Sequence, residues 1–109
     1  MHNRLQFHVD ANWLSGPKLS RERGRALLAL LSELERSSSL REAARAAGVS
    51  YRFAWGILGE GADLFAAPLV EMQRGRGARL SPLGHKVLQA DQKIRAALEE
   101  PLERLRTEI

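Results

Sequence analysis

The run S-L-R-E-A-A-R-A-A-G-V-S-Y-R-F-A-W, residues 39–55, leaves few folds open to this chain. It begins with a capping box, Ser39 followed three residues later by Glu42. The serine hydroxyl can accept from an unpaired amide at the helix start while the glutamate reaches back to the cap amide. An alanine-rich turn and a half follows and stops at Gly48, a residue able to take the left-handed conformation that closes a helix. Ser50 then offers an N-cap for a second helix beginning at Tyr51. Helices joined by so short a glycine-containing turn cross steeply, and small residues must stand where they meet. Ala43, Ala44 and Ala47 meet that need on the first helix, and Val49, Ala54 and Ile57 supply the facing apolar surface. The pattern predicts a helix-turn-helix. The polar side of its second helix opens with Tyr51, Arg52 and Phe53, at the end that would enter a major groove.

The flanking segments extend this reading. L-V-E-M-Q (residues 69–73) and A-R-L (residues 78–80) flank an Arg-Gly-Arg-Gly tip, which reads as a β-hairpin, a basic wing. Ser81 and Pro82 then start a last helix, with serine as cap and proline at the first helical position. Leu83, Val87, Leu88, Ile94 and Leu98 form its apolar face. Leu102, Leu105 and Ile109 continue that face beyond Pro101, where a kink or a fresh start near Glu99 and Glu100 is expected. The heptad-like spacing from Ile94 to Ile109 marks a dimer seam; the alternative is that this face folds back on the domain's own core. Upstream, Ser20 caps a helix from Arg21 to about Glu35, with Leu27, Leu28, Leu30, Leu31 and Leu34 as its buried stripe. Earlier still, Leu5, Phe7 and Val9 alternate, which suggests a strand pairing with the wing or with a partner's copy. The Ser15-Gly16-Pro17 cluster ends it. The expected fold is mostly α with a small β-hairpin, a single winged helix-turn-helix domain over residues 1–109. Its helix-turn-helix covers about 39–66, its wing about 69–80 and its long C-terminal dimerisation helix about 82–107.

Two features of the second helix stand out. Gly56, Gly59 and Gly61 each cost about 0.8–1 kcal/mol relative to alanine in a helix interior. They permit close approach to a phosphate backbone or a neighbouring helix, or else leave this helix loose. Tyr51, Trp55, Leu58, Ala62 and Phe65 recur at helical spacing, which predicts that Trp55 belongs to the core.

Charge and residue usage bound the partners. The formal net charge is +4, from 17 basic and 13 acidic residues. Most of the basic residues are arginine, whose planar guanidinium suits phosphates and guanine edges. Residues 74–86 hold four basic side chains and no acid, whereas residues 91–109 hold five acids and four basic side chains. A basic middle and a slightly acidic tail suit nucleic-acid contact in one place and protein contact in another. The absence of cysteine excludes disulfides, zinc knuckles and thiol chemistry. His2, His8 and His85 have no paired spacing, so neither a metal site nor a cofactor is expected. R-G-R-G-A-R (residues 74–79) lacks the lysine and serine or threonine that end a phosphate loop, and no nucleophile–base or carboxylate pair stands out, so no enzyme activity is expected. No apolar run is long enough to span a bilayer. The opening M-H-N-R-L-Q-F-H lacks the apolar core of a signal peptide, and a cytoplasmic location is expected.

The run G-V-S-Y-R-F-A-W, the L-V-E-x-x-x-G-x-G wing and the helix start L-S-P-L-G-H-K-V-L resemble the amino-terminal domain of ModE-type molybdate-responsive regulators. That domain is similar to the LysR-type winged helix, and the resemblance runs from about Leu5 to Leu105. It implies a dimeric, DNA-binding transcriptional regulator. Ser50, Tyr51 and Arg52 match the start of the family's recognition helix, and Arg74, Arg76 and Arg79 fall in its wing. The first strand, with Leu5, Phe7 and Val9, and the last helix, with Ile94, Leu98, Leu102, Leu105 and Ile109, match its dimerisation elements. Phe53 and Gly56 replace polar residues expected at the groove. In full-length regulators of this type oxyanion-binding domains follow, whereas this sequence ends at Ile109. Molybdate sensing is therefore not carried over from the resemblance; the expected partners are double-stranded DNA and a second copy, and whether a separate protein senses an effector is left open. Tyr51 to Gly56 would enter the major groove, Arg52 would contact a base edge, and Arg41, Arg45, Arg74, Arg76 and Arg79 would bind phosphates. The competing expectation is a winged-helix protein-interaction module that keeps the dimer and binds no DNA.

Overall fold

In the computed structural model, which describes residues 12–108, Ser20 starts α1 (Arg21–Leu34) by accepting from the Arg23 amide. The leucines of α1 fall on one stripe, and Leu27, Leu30 and Leu31 are wholly buried. Around that stripe assemble α2 (Leu40–Ala46), α3 (Tyr51–Phe65) and α4 (Pro82–Glu108), with β1 (Val70–Gln73) and β2 (Gly77–Leu80) between the last two helices. This is a winged helix-turn-helix: mostly helical, with one small antiparallel hairpin and a long final helix. The strand expected around Leu5, Phe7 and Val9 lies outside the described residues, as do His2, His8 and Ile109.

The turn between α2 and α3 follows the chemistry expected of it. Ser39 accepts from the Glu42 amide at 3.1 Å and Ser50 from the Phe53 amide at 3.0 Å. Gly48 takes a φ of 76°, which lets the Val49 amide reach back to the Ala44 carbonyl at 3.0 Å. Ala43, Ala44, Ala54 and Ile57 are buried, so the small side chains stand where the two helices close on each other. At the far end of α3, Ala66 has a φ of 57°, a left-handed conformation that costs a non-glycine residue about 1–2 kcal/mol. The Ala67 amide returns to the Ala62 carbonyl at 3.0 Å, and Pro68 then carries the chain out of the helix and toward the wing.

The two strands pair in the register Val70–Leu80, Glu71–Arg79, Met72–Ala78 and Gln73–Gly77. Leu69, expected as the first residue of the wing, is instead part of the core. Its side chain is buried and its carbonyl accepts from the Ser81 amide at 2.9 Å. The buried Ser81 hydroxyl donates to the Pro68 carbonyl at 2.8 Å and accepts from the Gly84 amide at 3.0 Å. One side chain thereby ties together both ends of the hairpin and the start of α4.

Helix α4 runs unbroken through Pro101, where a kink or fresh start was expected. The proline removes one amide donor, but Ala97 and its neighbours are exposed, so water can take the carbonyl that loses its partner. Strong helix formers on both sides, Ala96 to Glu100 and Leu102 to Leu105, sustain the rest. With a rise of about 1.5 Å per residue, the helix extends well past the core, and its buried residues, Gly84, Val87, Leu88 and Asp91, all lie in its first part. The Asp91 carboxylate accepts from Trp13 Nε1 and from Arg95 Nε, each at 2.9 Å. That pair of bonds fastens the segment before α1 to α4. No helix among the described residues is long and apolar enough to cross a membrane.

Candidate nucleic-acid interface

The wing is tied to the helix-turn-helix by backbone. The Ala78 amide of β2 donates to the Ser38 carbonyl at 3.0 Å, one residue ahead of the α2 cap. Gly77 lies directly over that carbonyl. Its φ is 80°, and a Cβ placed there would stand 1.9 Å from the Ser38 oxygen. Only a glycine allows β2 to come so close, and the arginines of the wing tip are therefore held beside the start of α2.

Helix α3 has an inward and an outward face. Ala54, Ile57, Leu58 and Gly61 are buried, whereas Arg52, Trp55, Gly56 and Gly59 are exposed. Trp55 is 45% exposed, which corrects the expectation that it belongs to the core. Two stripes compete on this helix, one through Ala54, Ile57 and Gly61 and one through Tyr51, Trp55 and Ala62, and both include Leu58. At about 100° per residue, Ala54, Ile57, Leu58 and Gly61 cluster in one buried arc of the helix, and Trp55 falls outside it. The crossing with α2 requires a small residue, and the stripe containing Ala54 takes the core. Of the three glycines, Gly61 is closely packed: the Leu27 and Leu69 side chains would lie 2.7 and 2.8 Å from an added Cβ. Gly56 and Gly59 face open space.

The expected contact residues fall into three groups. Ser50 caps α3, and Tyr51 is half-buried with the Arg41 guanidinium 4.2 Å from its ring centroid. Tyr51 in turn meets Trp55 edge-on, with centroids 6.1 Å apart and planes at 90°. Phe53 is half-buried against the core, under an Arg23 guanidinium 4.8 Å from its centroid. Arg23 donates to both Glu60 oxygens, at 2.7 and 2.6 Å, and so links α1 to α3. The hydrogen bond to Glu60, aided by its charge and opposed by desolvation, raises the Arg23 pKa above its ordinary value. Phe53, Arg23 and Glu60 brace α3 against α1.

The remaining arginines form the outward group. Arg79 is exposed and pairs across the strands with Glu71 at 3.6 Å. Such a surface pair contributes about 0–1 kcal/mol, so a phosphate can replace Glu71 at little cost. Arg45, Arg52, Arg74 and Arg76 are exposed, and among the described residues they have no ion-pair partner. Two large apolar side chains outside the expected contact residues are also exposed, Trp55 and Met72, the latter at 48%. Strand alternation puts Met72 on the same face as Val70, at the gap between α3 and the wing.

The dimer seam expected on α4 is only partly covered within the described chain. Ile94 and Leu102 are half-buried, and Leu98 and Leu105 are 41% and 43% exposed. Leu98 and Leu105 do not fold back onto the domain's own core, the alternative for this face.

No family model matches the chain. Over 92 residues it is 35% identical to the molybdenum-pterin-binding protein MopB of Rhodobacter capsulatus, an alignment that covers 81% of this chain and 33% of that protein. The chain spans about one third of the length of the curated relative it matches.

Proposed function

We propose that this chain is the DNA-binding part of a transcriptional regulator and works as a dimer on double-stranded DNA. The observation that carries the reading is the placement of partnerless arginines on α3 and on a wing tip that the Ala78–Ser38 bond fastens to the helix-turn-helix. In this reading the outward residues of α3 enter the major groove, with Arg52 at a base edge. Arg41, Arg45, Arg74, Arg76 and Arg79 hold phosphates on either side, which sets position without reading sequence. The part-exposed stripe of Ile94, Leu98, Leu102 and Leu105 pairs with its copy in a second chain. The relative is by name a molybdenum-pterin-binding protein, and a chain covering one third of it suits a module that couples such a signal to DNA. Effector sensing is then the task of another segment or a separate protein.

Selection of bound sequences from a random duplex pool tests this reading, and a two-fold-symmetric motif is the expected result. On that motif Arg52→Ala is expected to lose discrimination at one position per half-site, worth about 1–3 kcal/mol for a bidentate guanine contact. Arg76→Ala is expected to weaken all duplexes alike and to flatten the salt dependence. A chain that serves only as a protein-interaction module would leave random duplex unbound even at low salt.

A further inference from the structure

Between the outward face of α3 and strand β1 lies a depression of about 150 Å³, lined by Trp55, Leu58, Ala62, Leu69, Val70 and Met72. Its two outer walls, Trp55 and Met72, are about half exposed, and they are the most exposed large apolar side chains among the described residues. The indole is held in place despite that exposure: the Tyr51 ring meets it edge-on at 6.1 Å, and the Arg41 guanidinium lies 4.2 Å from the Tyr51 centroid. A tryptophan fixed in an outward orientation by a neighbouring ring is a ready contact surface, because little conformational freedom remains for a ligand to remove.

The surroundings select the occupant. Arg52 stands one turn before Trp55 on the same helix face, and Arg74 and Arg76 follow Met72 into the wing tip, all without ion-pair partners among the described residues. An apolar hollow framed by uncompensated cations suits a polyanion that carries a small apolar group at its readable edge. In the major groove that group is the C5-methyl of thymine, the one apolar feature any base presents there. We propose that Trp55 and Met72 receive a thymine methyl, so that the chain specifies thymine at the step they cover. The inference rests on the DNA-binding reading above and names a base-specific contact within it.

The test compares the duplex selected by the parent chain with the same duplex in which deoxyuridine replaces thymine, one position at a time. This removes a methyl group and leaves every hydrogen-bonding group in place. At one thymine per half-site the substitution is expected to weaken parental binding about fourfold, the equivalent of one buried methyl-sized group. Trp55→Ala is expected to bind the thymine and deoxyuridine duplexes equally, while Trp55→Phe, which keeps an aromatic face, retains part of the preference. Equal parental affinity for thymine and deoxyuridine at every position would overturn the thymine contact and leave DNA binding standing. A parent chain that binds no duplex at low salt would remove both.

Discussion

A chain carrying Arg45→Ala, Arg74→Ala and Arg76→Ala together is expected to bind random duplex on the order of a hundredfold more weakly than its parent at about 0.1 M salt. The three guanidinium groups are exposed, and none has an ion-pair partner among the described residues. Their loss therefore breaks no ion pair and should leave the melting temperature close to that of the parent. Each phosphate neutralised contributes about −0.9 to the slope of log affinity against log salt, so the variant's slope should be shallower by between two and three units. Electrophoretic shift at several salt concentrations, with a thermal melt as control, checks both halves. An unchanged slope would mean that the charges lie elsewhere than on the DNA.

The second large effect is expected from Gly77→Ala. The residue needs a φ of 80°, and its Cβ would stand 1.9 Å from the Ser38 carbonyl oxygen. The obstacle is backbone, so no rotamer change can relieve it, and the Ala78–Ser38 hydrogen bond must open for the methyl to fit. The left-handed conformation adds about 1–2 kcal/mol and the lost bond about 1 kcal/mol, giving about 2–3 kcal/mol of lost stability. Because the change releases β2 from the start of α2, duplex affinity should fall further than with any single wing arginine removed. Gly75→Asn is the matched control. Gly75 also has positive φ, at 75°, but faces open space, and asparagine tolerates that conformation. If Gly77→Ala melted and bound like the parent, the contact with Ser38 would not be what holds the wing in place.

Much of the fold was legible because it is written in local hydrogen bonds. Ser20, Ser39 and Ser50 each cap an amide three residues on, and Gly48 closes α2 within its own turn. Such bonds depend on residue type and spacing alone. What the sequence did not reveal depends on contacts between distant segments. The choice between the Ala54 and Trp55 stripes is decided by the α2–α3 crossing, and the apolar pattern of α3 admits both. Leu69 becomes core, because Ser81, twelve residues later, draws its carbonyl inward. Pro101 stays within α4 because its surroundings are wet, a property that the residue itself does not carry.

The candidate interface divides along the same line. The arginines of the wing and of α3 were legible as a charge cluster. That Arg79 faces Glu71 follows only from the hairpin register, and that Phe53 sits beneath Arg23 follows only from the packing of α1 on α3. Trp55 lies on the opposite side of α3 from the one its spacing predicts. The clue available in the sequence was the pair of glycines at positions 56 and 59, which lie on the face that Trp55 shares and fill no space in the core.

Affinity of the parent chain for a random duplex, followed as salt rises from about 50 to 200 mM, tests duplex binding by this face most directly. With Arg41, Arg45, Arg74, Arg76 and Arg79 on phosphates, log affinity should fall linearly with log salt at a slope of about −4 to −5 per chain. No binding at the lowest salt, or binding that salt does not weaken, would contradict it.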